Sequence, residues 1–164
     1  MRWDCLSALE SAPGTHPEIK SVDGVDTYCL THNETSTGVV MPVSRIEPDA
    51  FTVVDATSAA GGVMVDPAQF DVYYFSPQKC FAADGGLWLA LCSPRAIERI
   101  ERVGKFDRWV PPSLSLGSAL ENSRQNQTYN TPSLTTLFML GDQVSWINEH
   151  GGLPWAAQRC HDSA

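Results

Sequence analysis

The stretch YYFSPQKCF, residues 73–81, places a lysine at the end of an apolar run. Its aromatic residues predict a buried β-strand over 71–76, and a proline, a glutamine and the lysine follow that strand. A lysine ammonium is costly to bury unless it is paired, neutralised or used covalently. Lys79 is therefore a candidate functional residue, and the question is which other groups of the chain could act with it.

The composition is that of one ordinary globular domain. The chain has 164 residues, of which 43% are hydrophobic and 18% charged. Its net charge of −8 argues against a nucleic-acid partner, which needs a basic face. The sequence has no apolar run long enough to span a membrane, and MRWDCLSALE does not read as a signal peptide. We therefore expect a cytoplasmic protein.

Five cysteines are present, at positions 5, 29, 80, 92 and 160, and none forms a CxxC pair. An odd number without that spacing argues against a disulfide framework and against a zinc site, so no metal ligands are predicted. Reduced, buried thiols are the expectation, and for Cys80 a packing role is favoured over a redox role.

Four apolar segments predict β-strands, at residues 27–32, 51–57, 71–76 and 87–93. They read as near-continuous apolar runs rather than alternating ones, which is typical of strands covered on both faces. The pattern predicts an α/β fold with a mostly parallel sheet and helices.

Three helices are predicted around a long irregular segment, 105–130. The first, 93–104, has Ser93 as its cap and Gly104 at its stop, and its arginines 95, 99 and 102 predict a solvated face. The second begins at Thr131 and Pro132 and ends before the glycines 151 and 152. The third begins in LPWAAQRC, residues 153–160. These helices are too few to cover both sheet faces, so either irregular segments cover the sheet or part of it is missing.

Two charged residues lie at the ends of predicted strands, Asp55 and Lys79. If strands 51–55 and 71–75 are parallel neighbours, both residues open onto one crevice, where ligands of α/β sheets bind. Thr35, just after the first strand, would join them. Two interpretations stay open: a partly buried salt bridge, or a Schiff-base lysine whose aldehyde cofactor has its ring nitrogen held by the aspartate.

Four motifs occur in a specific order: HNETSTGV (32–39), VVDATSAAGG (53–62), YYFSPQKCFAADGGLW (73–88) and NQTYNTPS (126–133). Together they resemble the phosphoserine aminotransferases of the actinobacterial type. These are pyridoxal-phosphate enzymes of fold type I, in the aspartate aminotransferase superfamily. The resemblance covers roughly residues 11–164 and does not include 1–10.

The resemblance implies roles for six residues of this sequence. Lys79 corresponds to the lysine that forms a Schiff base with pyridoxal 5′-phosphate, and Asp55 to the aspartate that pairs with the pyridine nitrogen. Thr35 and Gln78 correspond to residues that contact the same cofactor. Asn130 and Thr131 correspond to a pair that reaches the cofactor phosphate of the neighbouring subunit, which implies a homodimer. Thr131 is also predicted to cap a helix, and a helix N-terminus suits a phosphate.

The implied reaction transfers an amino group from glutamate to 3-phosphohydroxypyruvate, giving O-phosphoserine and 2-oxoglutarate. It belongs to serine biosynthesis and can extend to pyridoxine biosynthesis.

We expect an unmatched segment at 1–10, a partial cofactor-binding large domain at 11–148, and the start of a connection to the small domain at 149–164. The chain has about half the family's length, so the N-terminal segment and the small domain are expected to be missing. The alternatives are a non-catalytic remnant or interaction module and another fold type I reaction.

Overall fold

The computed structural model describes residues 7–164, and its centre is a four-stranded mixed sheet. The strands are β1 (Thr27–Thr31), β4 (Phe51–Asp55), β5 (Val72–Phe75) and β6 (Leu89–Cys92), in the order β1-β4-β5-β6. β1, β4 and β5 run parallel, and β6 pairs antiparallel with β5. The four predicted strands and the parallel pairing of β4 with β5 are thus confirmed. Cys5 and the first six residues of the predicted 1–10 segment lie outside the described residues.

A small hairpin follows β1 directly. It consists of β2 (Asn33–Glu34) and β3 (Val39–Val40), which pair antiparallel in a separate two-stranded sheet. The sequence alone predicts a loop over this segment, because two-residue strands carry no periodic signal.

Four helices complete the described chain: α1 (Pro94–Gly104), α2 (Leu116–Arg124), α3 (Leu134–Glu149) and α4 (Gly152–Asp162). The predicted limits of α1 are confirmed, and the Ser93 side chain accepts a hydrogen bond from the amide of Ala96. The predicted start of the second long helix at Thr131 is wrong. Ser133 is the residue whose side chain caps α3, by accepting from the amide of Thr136.

The segment predicted to be irregular contains α2, which is a correction. Ser115 caps this helix, and its apolar residues are few and none is buried. A short helix without an apolar stripe gives no clear 3.6-residue period, and its recognition therefore depends on its cap alone.

The two faces of the sheet differ in cover. Side chains on the closed face are buried: Tyr28, Leu30, Thr52, Val54 and Tyr73. The open face carries Cys29, Val53, Asp55 and Tyr74, which are half-buried or exposed. The expectation of two covered faces is therefore wrong for residues 7–164, and loops supply most of the cover of the closed face, with the α3–α4 hairpin over the β5 side. The residues packed against the closed face come largely from the segments before and between the strands: Ile19, Val25, Val43, Ile46 and Val65.

A buried carboxylate joins the sheet to its surroundings. The Asp71 side chain is fully buried, and it accepts hydrogen bonds from the backbone amide of Thr52 and from Ser93 Oγ. Arg45 and Arg95 both form ion pairs with it, at 2.8 and 2.6 Å. Hydrogen bonds from the guanidinium groups hold the pKa of Asp71 far below its ordinary value, against the opposing effect of burial. Arg95 therefore does not lie on a solvated face, as its helical spacing had suggested.

α3 and α4 form a helical hairpin that turns at two glycines. Gly151 and Gly152 have φ of +117° and +71°, a conformation that other residues rarely adopt. The Trp146 and Trp155 rings pack edge to face across this hairpin, with centroids 4.9 Å apart. Within residues 7–164, none of the helices combines the length and the apolar character needed to cross a lipid bilayer.

Candidate functional site at one edge of the sheet

Asp55 is the last residue of β4, and its carboxylate lies on the open face. One oxygen accepts a hydrogen bond from the amide of Thr57 at 2.9 Å, and the other accepts one from the Tyr74 hydroxyl at 3.1 Å. Burial first, and then the charge of Asp55, raise the pKa of Tyr74 above its ordinary value, so the phenol stays a donor. The carboxylate is thus fixed in orientation and still half-open to solvent.

Lys79 lies in the turn that follows β5. Its carbonyl accepts a hydrogen bond from the amide of Ala82 at 2.9 Å, and Pro77 at the start of the turn is buried. The Lys79 side chain is exposed, and it pairs with no carboxylate among residues 7–164. The salt bridge between Asp55 and Lys79, one of the two interpretations from sequence, is therefore not formed. Neither the Lys79 amine nor the Asp55 carboxylate forms an ion pair among residues 7–164.

The turn that follows Asp55 packs directly against the lysine turn. A Cβ on Gly61, where φ is +84°, would lie 2.8 Å from the Phe81 ring, and one on Gly62 would lie 2.6 Å from Cys80 Sγ. Only glycine fits at such separations. Because Cys80 and Phe81 come immediately after Lys79, these contacts fix the lysine turn relative to the end of β4.

Thr35 is held at the same edge by the β2–β3 hairpin. The Glu34 carboxylate accepts hydrogen bonds from the amides and hydroxyls of both Ser36 and Thr37, at 2.7–3.0 Å. These bonds lower the pKa of Glu34 to about 2 and shape the tip of the hairpin. The Thr35 hydroxyl forms a hydrogen bond with Ser58 Oγ at 2.5 Å, and the carbonyl of Ser58 lies 4.0 Å from Cys80 Sγ. Ser58 therefore lies between the hairpin and the lysine turn.

The other predicted site residues lie farther along this edge. Gln78 is exposed, and its amide group packs near Gly85. The hydroxyl of Thr136, in the first turn of α3, donates to the carbonyl of Gly85 at 3.4 Å. Asn130 and Thr131 are exposed just before α3, and within residues 7–164 their side chains make no hydrogen bond to Thr35, Asp55 or Lys79. The loops that carry Thr35 and Lys79 thus meet near the end of β4, where Asp55 lies, whereas Asn130 and Thr131 are exposed and take no part in these contacts.

A buried pair lies beneath Asp55, on the closed face. His32 Nδ1 lies 3.0 Å from the Tyr73 hydroxyl, and the amide of His32 donates to the carbonyl of Asp55 at 2.9 Å. Burial lowers the pKa of His32 and raises that of Tyr73 to about 12, so both stay uncharged at neutral pH. This pair supports the end of β4 and does not open onto the lysine.

The structure adds Tyr74 and Ser58 to the site, two residues that sequence reasoning missed. The parallel register pairs Asp55 with Tyr74, which puts both side chains on one face. That pairing follows from the strands once their register is known, whereas the contact between Ser58 and Thr35 joins two loops and has no sequence signal.

An apolar cleft of about 210 Å³ lies between the sheet and the α3–α4 hairpin. Tyr73, Phe75, Phe81, Ile147 and Leu153 line it, and neither Asp55 nor Lys79 does. The cleft is a packing gap under the helices and is separate from the candidate site.

One protein family matches most of the chain. Residues 19–158 match the model of the family described as aminotransferase class-V. The chain is 54% identical to the phosphoserine aminotransferase of Rhodococcus jostii (strain RHA1) over 158 residues, which are 95% of this chain and 42% of that protein.

Solved structures give the same result at the level of the fold. The crystal structure of a phosphoserine aminotransferase from Cytophaga hutchinsonii superposes with a TM-score of 0.76 at 30% identity, over 91% of this chain and 42% of that one. The ureidoglycine-glyoxylate aminotransferase from Bacillus subtilis superposes with a TM-score of 0.67 at 27% identity, over 82% of this chain and 36% of that one. The chain thus spans less than half the length of the relatives that it matches.

Proposed function

The chain belongs to the class-V aminotransferase family, and from that premise we propose that it carries the lysine-bearing part of a phosphoserine aminotransferase site. The reaction is amino transfer from glutamate to 3-phosphohydroxypyruvate, a step of serine biosynthesis that can also serve pyridoxine biosynthesis. The proposal depends on one observation above all. The exposed Lys79, which has no carboxylate partner among residues 7–164, lies on a turn that is packed against the loop following Asp55.

Pyridoxal 5′-phosphate is the cofactor that the family implies, and the residues at this edge fit it. The Lys79 amine is free to bind an aldehyde covalently. The Asp55 carboxylate, with Thr57 and Tyr74 as fixed donors, keeps a half-open side on which it can hold a proton at a ring nitrogen. When bound, the cofactor supplies an electron-withdrawing ring that stabilises negative charge at the substrate α-carbon.

The remaining roles belong to the residues of the chain. Lys79 Nζ, once released from the cofactor, is proposed to act as the base that takes the proton from the substrate α-carbon. The same amine is proposed to donate that proton again later in the amino transfer. Thr35, held by Ser58, is proposed to donate its hydroxyl to the cofactor. Gln78, next to the lysine, is proposed to contact the cofactor through its amide.

The proposal includes a partner subunit and a location. Asn130 and Thr131 are proposed to bind the phosphate of the cofactor in a neighbouring copy, so that the working form is a homodimer in the cytoplasm. Their exposure ahead of α3 supports this role, since their side chains form no hydrogen bond with the other residues that the structure describes. Ser133, and not Thr131, caps α3. The backbone amides at the N-terminus of α3 that suit a phosphate therefore come after Thr131 in the chain.

The proposed function is tested with the purified chain, pyridoxal phosphate and glutamate. The expected result is release of 2-oxoglutarate in proportion to bound cofactor, followed by O-phosphoserine when 3-phosphohydroxypyruvate is added. Lys79→Ala should abolish both products, and Lys105→Ala, which alters an exposed lysine after α1, should leave them unchanged. Retention of the cofactor without any 2-oxoglutarate would contradict the proposed activity of this chain. It would favour the interaction module considered from sequence.

A further inference from the structure

Two cysteine thiols lie close together behind the lysine turn. A Cβ on Gly62 would lie 2.6 Å from Cys80 Sγ and 3.1 Å from Cys160 Sγ, so the two sulfur atoms are no farther apart than the sum of these distances. Cys80 belongs to the lysine turn, and Cys160 lies in the last turns of α4. The sequence separates these residues by 80 positions, and no spacing motif links them.

We propose that Cys80 and Cys160 form a redox-sensitive pair, which a peroxide converts to an intramolecular disulfide. Cys160 is exposed and Cys80 is half-buried, so the peroxide reaches Cys160 first. Cys29 lies on β1 and Cys92 on β6, and burial alone raises the pKa of each thiol, so that in the part of the chain that the structure describes neither has the cysteine neighbour that Cys80 has.

The reaction balances with a peroxide as the oxidant. The Cys160 thiolate attacks one oxygen of hydrogen peroxide, which gives a sulfenic acid and water. The Cys80 sulfur then attacks the Cys160 sulfur and displaces its hydroxyl group, which leaves as a second water with the thiol proton. In all, two thiols and one peroxide give one disulfide and two waters.

The environment of Cys80 determines how the second step depends on pH. Burial, and then the neighbouring Cys160, raise the pKa of the Cys80 thiol above its ordinary value of 9.0. Because the thiolate is the nucleophile, disulfide closure should accelerate as the pH rises toward and past this value. Because oxidation of Cys160 also proceeds through a thiolate, the crosslink, and not the pH dependence, distinguishes disulfide closure from simple oxidation of Cys160.

The disulfide would affect the lysine turn directly. Cys80 follows Lys79 in the chain, so a bond to α4 anchors the turn that carries the amine. Hydrogen exchange at the amides of residues 78–83 should therefore slow after oxidation. This consequence concerns the mobility of the turn and holds whatever ligand the lysine binds.

The test is an intact-mass and peptide-mapping experiment on the full chain, treated with equimolar hydrogen peroxide and then alkylated under denaturing conditions. The expected result is the loss of two alkylatable thiols and a crosslink between tryptic peptides 80–95 and 160–164. Since Cys92 shares the first peptide, Cys92→Ser should retain the crosslink and Cys80→Ser should abolish it. The Cys80→Ser protein should instead accumulate oxidised Cys160, with an unchanged circular dichroism spectrum.

Three outcomes would overturn the proposal: Cys160 oxidised without a crosslink in the wild type, a crosslink that survives Cys80→Ser, or one that joins two copies of the chain. None of these readouts requires a cofactor. A failure here is therefore distinguishable from a failure of the proposed function.

Discussion

The two faces of the sheet use the same strands for different purposes. Val54 and Asp55 are neighbours on β4, yet Val54 is fully buried on the closed face and Asp55 lies half-open on the other. Because side chains alternate along a strand, one register shift would exchange the two sets. Burial on the closed face therefore holds the strand ends in place, and this allows the open face to carry exposed polar groups.

The largest effect is expected from Asp71, which lies two residues before Tyr73 and on the same side of β5. Replacing it with alanine leaves Arg45 and Arg95 unpaired and the Thr52 amide without an acceptor. Breaking one side of a buried ion pair costs about 3–5 kcal/mol of unfolding free energy. Urea unfolding measures this loss. The matched control is Asp26→Ala, which removes the largely exposed ion pair with Arg99 and should cost under about 1 kcal/mol. Equal losses for the two variants would contradict the assignment.

The difference in burial between the two faces is tested most sharply by the neighbouring valines of β4. Val54→Ala removes two methyl groups from the buried face and should cost about 2 kcal/mol of unfolding free energy. Val53→Ala makes the same chemical change on the half-buried open face and should cost less than half as much. If thermal and urea unfolding gave the same loss for both, the difference between the faces would be refuted.

Part of the acid dependence of stability should trace to Asp71 on the closed face. The pKa of Asp71 is lower in the folded chain than its ordinary value of 3.8, so the unfolded chain binds the proton more readily. Its contribution is therefore fully present above that value, and it is lost as the pH falls below it, by up to about 1.4 kcal/mol per pH unit for one proton. Unfolding measured from pH 5 downward should show a shallower slope for Asp71→Asn. An unchanged slope would assign the acid dependence to other carboxyl groups.

The smallest effect on stability is expected from Tyr74→Phe, which removes the hydroxyl that donates to Asp55. The side chain is 38% exposed, so the unfolding free energy should change by at most about 1 kcal/mol. The affinity for pyridoxal phosphate should nevertheless change several-fold, because one of the two donors that orient the carboxylate is lost. A fluorescence titration of both proteins measures this, and equal affinities would mean that Tyr74 does not position Asp55.

The strand–turn framework could be predicted from sequence because it depends on local signals. Apolar runs predicted the four strands, and charged residues at the ends of two of them suggested Asp55 and Lys79 as candidate site residues. The cap of α1 was predicted correctly, since Ser93 and Pro94 stand together. At α3 the same kind of signal misled, because Thr131, Pro132 and Ser133 offer competing caps and only the hydrogen bond to Thr136 distinguishes them.

Features that depend on distant contacts could not be predicted. Arg95 has the helical spacing of a solvated residue, and its ion pair with Asp71 is decided by where α1 meets the sheet. The exposure of Cys29 depends on which face of the sheet the loops cover. The approach of Cys80 to Cys160 depends on how α4 packs against the Gly61–Gly62 turn. Each of these features depends on residues that are distant in the sequence, and no local pattern encodes it.

The most direct test of the central claim is covalent capture of pyridoxal phosphate at the open edge. The purified chain is mixed with the cofactor, reduced with borohydride and digested, and the modified lysine is located by mass spectrometry. The account predicts modification at Lys79 far above that at the exposed Lys105 at equal cofactor concentration, and loss of that modification in Lys79→Ala. Equal labelling of Lys79 and Lys105, or labelling of Lys79 that Asp55→Ala leaves unchanged, would contradict the assignment of this edge as the cofactor site.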